Sequence, residues 1–224
     1  MNIKVKQILE IVSVLISIFL IIMLFVMVMP YIYSSDVPAA LIILFELLPY
    51  ILMVGLVAMV CKLRKRPIAI GLGFKKEHIA KQLLIAIIIF AITISFIVIP
   101  LLCGANKSDL LSFKARNPII MIYYVIKSLI FVGVGEELVW RGYFYERINR
   151  IANSGTWAVV TSSILFGLWH YPNGQNIMQV LMVTALGLIY GFARLKVKDC
   201  STLATGIAHG MHDAAIIILS YILL

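Results

Sequence analysis

Two adjacent carboxylates, Glu136 and Glu137, sit in the run IFVGVGEELVWRGYFYER, Ile130 to Arg147, whose other residues largely suit lipid. An acidic residue at the centre of an inserted helix costs about 2.5–3.5 kcal/mol, so ionisable groups inside apolar spans are functional candidates by default. The chain holds few others of this kind: Glu46, Lys127, His170, His209, His212 and Asp213, with Arg141 at a span edge. On a helix Glu137 and Arg141 are i and i+4 and can pair, while Glu136 points about 100° away. One carboxylate can then be held ionised by the arginine while its neighbour stays uncommitted. In GIAHGMHDAA, His209 and Asp213 share the i, i+4 spacing, and His212 lies off that face. In FGLWHYPNG, Phe166 lies one turn before His170, where its ring can pack under the imidazole. Glu46 and Lys127 lie nearer the outer side and are expected to pair with each other as structure.

A carboxylate, two imidazoles and a further oxygen donor, gathered in an apolar bundle, form a set that can activate water. A buried glutamate can act as general base. Histidines can bind a metal or hydrogen-bond a water and an oxyanion. Amide hydrolysis fits these residues, and so does a proton relay. Taken singly, each pair is also what a salt-bridged helix surface would show, and His170 alone is what a packed interfacial histidine would show. The argument rests on finding all of them in one bundle at compatible depth.

The elements that must position these groups are membrane spans. The 224 residues are 62% hydrophobic with a mean hydropathy of +1.06, against roughly 45–50% apolar residues in a soluble domain. Hydropathy predicts an all-α polytopic bundle of about seven spans: near 8–30, 38–61, 82–103, from Pro118 through the carboxylate motif, 156–172, 176–194 and 202–224. The first run follows Lys4 and Lys6, is longer than a signal-peptide core, and is followed by no clear A-x-A site; it is read as a retained helix. The C-terminal SYILL has no cysteine for prenylation. Cys61, Cys103 and Cys200 show neither CxxC nor zinc-like spacing and are read as free thiols.

The net charge of +9 does not signal nucleic acid, because of where the charge falls. With the N-terminus inside, only Lys107, Lys114 and Arg116 fall in outer loops and Lys127 within a span; the remaining Lys and Arg collect inside, many in the basic loop 62–81. This is the positive-inside pattern, with the N-terminus cytoplasmic and the C-terminus outside. Depth agrees too. Below the inner aromatic belt of Tyr143, Phe144, Tyr145 and Trp157, Glu136 lies roughly 13 Å deep and His170 roughly 20 Å. His209 and Asp213 lie roughly 10 and 16 Å from Thr202 by the same rise. Gly187/Gly191 and Gly206/Gly210 form GxxxG patterns, which favour close helix packing, here within one chain.

The ordered set EELVWR, FGLWH and HGMHD matches EExxxR, FxxxH and HxxxN/D. It resembles the CPBP intramembrane proteases, also called the Abi or CAAX amino-terminal protease family, over about Tyr124 to Ile218. Hydropathy alone gives helices 1–3 in residues 1–117, with the basic loop 62–81; the resemblance implies a catalytic core, spans 4–7, in 118–224. It implies an intramembrane endopeptidase, multi-pass in a bacterial plasma membrane, acting on a membrane-associated peptide or protein from a cavity facing the cytoplasm. Glu136 becomes the general base, and Glu137 and Arg141 its support. His170 helps hold water or a metal, His209 and Asp213 supply water or oxyanion contacts, and Phe166 is the supporting aromatic.

A divalent metal such as zinc, held by Glu136, His170, His209 and Asp213, is compatible with the resemblance, as is glutamate-driven catalysis without metal; there is no HExxH. The last motif residue is Asp, not Asn, and an ionised Asp cannot donate to an oxyanion. A prenylated substrate is not carried over to a bacterial chain; a leader peptide, bacteriocin precursor or membrane protein is expected. The alternatives are a bacteriocin-immunity or binding protein without turnover, and a transporter. The sequence leaves oligomeric state open.

Overall fold

The computed structural model describes residues 3–34, 36–111 and 115–224; Lys114 lies outside the described residues. Every regular element among them is a helix: α1 (Ile3–Ser34), α2 (Ala39–Leu63), α3 (Ile68–Gly71), α4 (Ile79–Leu102), α5 (Lys107–Leu110), α6 (Pro118–Lys127), α7 (Val134–Glu137), α8 (Tyr145–Ala152), α9 (Gly155–Gly174), α10 (Ile177–Lys196) and α11 (Thr202–Leu223). Two π-helical stretches, Ser128–Gly133 and Leu138–Phe144, join α6, α7 and α8 into one long helix. The protein is a helical membrane bundle.

Side-chain caps mark several helix starts. Asn117, Ser154, Asn176 and Ser201 each accept a hydrogen bond from a backbone N–H of the first turn of α6, α9, α10 and α11, which satisfies a donor that a helix N-terminus otherwise leaves open.

Among the described residues six helices are long and apolar enough to cross a membrane: α1, α2, α4, Pro118–Ala152, α10 and α11. The expected seventh, over 156–172, exists as the 20-residue α9 but falls outside that set. The reason is compositional. Its apolar run is broken by Ser162, Ser163 and His170, and the two serines are fully buried among neighbouring helices. A helix sheltered by protein need not satisfy lipid on all sides.

The ion pairs fix which helix ends lie together. At one end Glu10 meets Arg64 at 2.6 Å and Arg147 at 3.2 Å, Arg194 meets Glu146 at 2.7 Å, and Lys81 meets Asp199 at 3.7 Å. At the other, Lys127 meets Glu46 at 2.7 Å, as expected, and Lys107 Nζ donates to the Leu223 carbonyl at 3.4 Å. Seven long helices therefore alternate in direction between a basic end and an opposite end. The basic end is the one that the positive-inside pattern expects on the cytoplasmic side.

The GxxxG glycines serve this internal packing. A Cβ on Gly133 would lie 2.3 Å from the Gly210 backbone nitrogen and 2.6 Å from the Gly206 carbonyl oxygen. The helix carrying the carboxylates thus meets α11 backbone to backbone. Gly133→Ala is expected to force these helices apart, at about 1–3 kcal/mol for overpacking, and to lower the midpoint of thermal unfolding in detergent.

The cysteines give a second expectation. Cys103 is exposed, while Cys61 and Cys200 are buried. Burial in the loop before α11 pushes the Cys200 thiol up to about 11, so little thiolate forms at neutral pH. A membrane-impermeant maleimide should label Cys103 on intact cells and leave the other two unmodified in the folded protein.

Candidate active site

Glu136 and Glu137 sit in the four-residue α7, between the two π-helical stretches. Such wide turns recur at functional sites because they re-aim side chains within an otherwise continuous helix. Both carboxylates are buried. Glu137 Oε1 accepts from Arg141 Nη1 at 2.6 Å, with both side chains fully enclosed. The i, i+4 pair read from the sequence is therefore formed. Arg141 also lies over the Phe166 ring, 4.5 Å from its centroid, and a Cβ on Gly187 would come within 2.8 Å of its Nη2. The first glycine of the α10 GxxxG thus makes room for the arginine.

Glu136 is uncommitted. Its Oε2 accepts no hydrogen bond and lies 3.9 Å from His170 Nε2 and 3.9 Å from His209 Nε2. His170 Nδ1 donates to the Phe166 carbonyl at 2.9 Å. A carbonyl can only accept, so that nitrogen carries the hydrogen and Nε2 presents a lone pair towards Glu136. Phe166 also meets His170 edge-on, with ring centroids 4.8 Å apart. His209 Nδ1 faces Glu137 Oε1 at 3.4 Å, and its Nε2 faces Asp213 Oδ2 at 3.5 Å. The structure thus brings Glu136, Glu137, Arg141, His170, His209 and Asp213 into one cluster, with Phe166 packed beneath. His212 is buried on α11 with its Nδ1 unpartnered.

A cavity of about 590 Å³ reaches this cluster. Glu136 and His170 are on its wall, with Tyr50 and Asn173. His209, Asp213, Glu137 and Arg141 stand behind that wall. Sequence reasoning missed several supporting residues. Tyr190 stacks on His209 with centroids 5.2 Å apart, and Trp169 meets His170 edge-on at 4.9 Å. Tyr50 had a signal available: it follows Glu46 by four residues, which puts the two on one face of α2.

The donor set is chemically that of a divalent-metal site, but as arranged it does not fit one. Among the described residues no three His, Cys, Asp or Glu side chains are grouped to hold a metal ion. Both nitrogens of His209 are turned to protein carboxylates.

A polytopic helical bundle with a carboxylate–imidazole cluster buried against a cavity defines a membrane protein built to do chemistry between its helices. A sequence model of the family described as type II CAAX prenyl endopeptidase Rce1-like matches residues 117–215. The match covers under half of the chain and falls on the three motifs that resemble the CPBP/CAAX protease family; it supports an intramembrane protease of the CAAX type. No curated protein and no solved structure matches the chain.

Proposed function

We propose that the protein is an intramembrane endopeptidase in which Glu136 acts as general base on a water molecule that attacks a peptide carbonyl. The observation that carries this reading is the state of Glu136: a buried carboxylate on the cavity wall whose Oε2 accepts no hydrogen bond from the protein. That lone pair is unused by the protein, so a water that reaches the carboxylate from the cavity can give it a proton. His170 Nε2, an acceptor 3.9 Å away, can take the water's second hydrogen and fix its orientation. The oxygen lone pair then faces the cavity.

The other residues hold Glu136 in this role. Arg141 keeps Glu137 ionised and fixed, so the two neighbouring carboxylates are not interchangeable. Asp213 faces the same His209 nitrogen that faces Glu136. In this reading Asp213 orients His209 instead of donating to the reacting carbonyl, a role open to an Asp where the motif also admits Asn. Donors for a developing oxyanion on the cavity wall are the Tyr50 phenol and the Asn173 amide. On collapse of the tetrahedral species, the proton taken by Glu136 passes to the leaving nitrogen.

The test compares protein N-termini in membranes of cells expressing the wild type and Glu136→Gln at equal levels. New N-termini that appear only with the wild type establish the peptidase and identify its substrate. Identical profiles, with the wild-type phenotype retained by the variant, would return the protein to the immunity or binding class.

A further inference from the structure

The second π-helical stretch, Leu138–Phe144, is gripped from outside. Its Arg141 carbonyl accepts from Arg194 Nη1, on the last turn of α10, at 2.5 Å. Nη2 of the same guanidinium donates to Glu146 Oε1 on α8 at 2.7 Å, and the group lies over the Tyr145 ring, 4.6 Å from its centroid. One side chain, 8% exposed, therefore holds the long helix on both sides of the junction where the π turn gives way to α8. Wide turns of this kind are rare, and helices kink where they occur, so a brace at this point has a purpose. Arginine suits it. Its planar fork of donors can serve a carbonyl and a carboxylate while lying flat on a ring, which a lysine ammonium cannot do.

Room for the guanidinium is built into the loop after α3. Gly73 has a φ of +71°, and a Cβ there would lie 2.1 Å from Arg194 Nη2 and 2.6 Å from Thr202 Oγ1. The loop is fixed in its own right. The Gly73 carbonyl accepts from the Thr202 backbone N–H at 3.3 Å. Gln82 Nε2 donates to the carbonyls of Lys75 at 2.9 Å and Glu77 at 2.8 Å, and Gln82 Oε1 accepts from the Ser201 hydroxyl. A Cβ on Gly142, the residue after Arg141, would lie 2.6 Å from the Leu72 carbonyl oxygen. The loop thus presses on the π turn where Arg194 grips it.

The turn sets the direction of the carboxylates. A helix residue advances roughly 100°, so closing the π turn to an α turn would rotate the segment before it against α8 by roughly that step. The rotation would reach the base through contacts already described: Arg141 Nη1 to Glu137 Oε1 at 2.6 Å, Glu137 Oε1 to His209 Nδ1 at 3.4 Å, and His209 Nε2 to Glu136 Oε2 at 3.9 Å.

We propose that Arg194 is a positioning residue of the Glu136 site, holding the π turn at the Arg141 carbonyl, and that Gly73 is the residue that leaves space for it. The effect on cleavage rests on the peptidase reading; the effect on the geometry of the cluster does not.

The test uses the full chain in detergent, with Arg194→Lys, Gly73→Ala and, as a control, Arg150→Lys at an exposed arginine of the same end. Three quantities are read: thermal unfolding, the ring ¹⁵N resonances of His209, assigned with His209→Gln, and cleavage in reconstituted membranes. Arg194→Lys and Gly73→Ala should unfold cooperatively and displace the His209 resonances, while Arg150→Lys leaves them in place. Cleavage should fall about 10²-fold, the cost of a small misplacement arising away from the chemistry, and the loss should lie in kcat with KM unchanged. A folded Arg194→Lys protein with His209 at its wild-type resonances would overturn the proposal and leave Arg194 as a brace of helix ends. Failure of both variants to fold would do the same, since Arg194 would then hold the fold itself. Equal displacement by Arg150→Lys would also overturn it, because the resonances would be reporting charge and not the brace. If the wild type cleaves nothing, the peptidase reading fails, and the His209 resonances still decide whether Arg194 positions the cluster.

Discussion

Replacing Glu136 by Gln is expected to lower peptide cleavage by about 10²–10⁴-fold, the range a positioned general base supplies, with little loss of stability. The amide has the carboxylate's shape but not its basicity. Glu136 Oε2 accepts no hydrogen bond in the folded protein and its carboxylate is in no short ion pair, so little native structure depends on its charge. Glu137→Gln should behave in the opposite way. That side chain holds Arg141 at 2.6 Å in a fully buried pair, and neutralising it strands a buried guanidinium. The informative measurement is therefore a joint one, with cleavage in reconstituted membranes set beside thermal unfolding in detergent for both variants. A Glu136→Gln protein that cleaves at the wild-type rate would remove Glu136 from the mechanism. One that unfolds as readily as Glu137→Gln would make the carboxylate structural.

Much of this site is legible in the sequence, for a physical reason. Lipid makes every polar group costly, so a short list of ionisable residues inside apolar runs is already a list of candidates. Helical periodicity then pairs them. Glu137 with Arg141, His209 with Asp213 and Glu46 with Lys127 all meet as the spacing and depth required. Phe166 lies against His170 because one helical turn separates them.

Other features were hidden. The π-helical stretches on either side of α7 leave no residue-type signature, so the facing directions of Glu136 and Glu137 followed only approximately from an ideal 100° step. Tyr190 and Trp169 look like ordinary span aromatics; only the packing of α9, α10 and α11 shows that they contact the two histidines. Which residues line the cavity was hidden too, because no sequence period reports which half of a bundle is loosely filled. The count of spans depended on α9, whose Ser162, Ser163 and His170 lower its hydropathy while the two serines are buried against neighbouring helices.

The second large effect concerns Arg141. The arginine and Glu137 are both at zero side-chain exposure, and the arginine fills space that Gly187 leaves for it. Removing one partner of a buried ion pair leaves an uncompensated charge and costs about 3–5 kcal/mol, whereas replacing both by apolar residues of similar volume is often neutral or stabilising. Arg141→Met is therefore expected to destabilise strongly, and so is Glu137→Leu, while the Glu137→Leu/Arg141→Met double variant should recover most of the lost stability. Measured as a double-mutant cycle in detergent unfolding, the coupling should amount to several kcal/mol; additive losses would show that the pair acts only through packing. Activity should not follow stability in the double variant. Without Glu137, His209 Nδ1 loses the carboxylate it faces at 3.4 Å, and the ring that lies beside both Glu136 and Asp213 is free to turn. A double variant that folds as well as the wild type but cleaves poorly would assign the pair to positioning His209 behind the base. A double variant that regains both would leave Glu137 and Arg141 with a structural role alone.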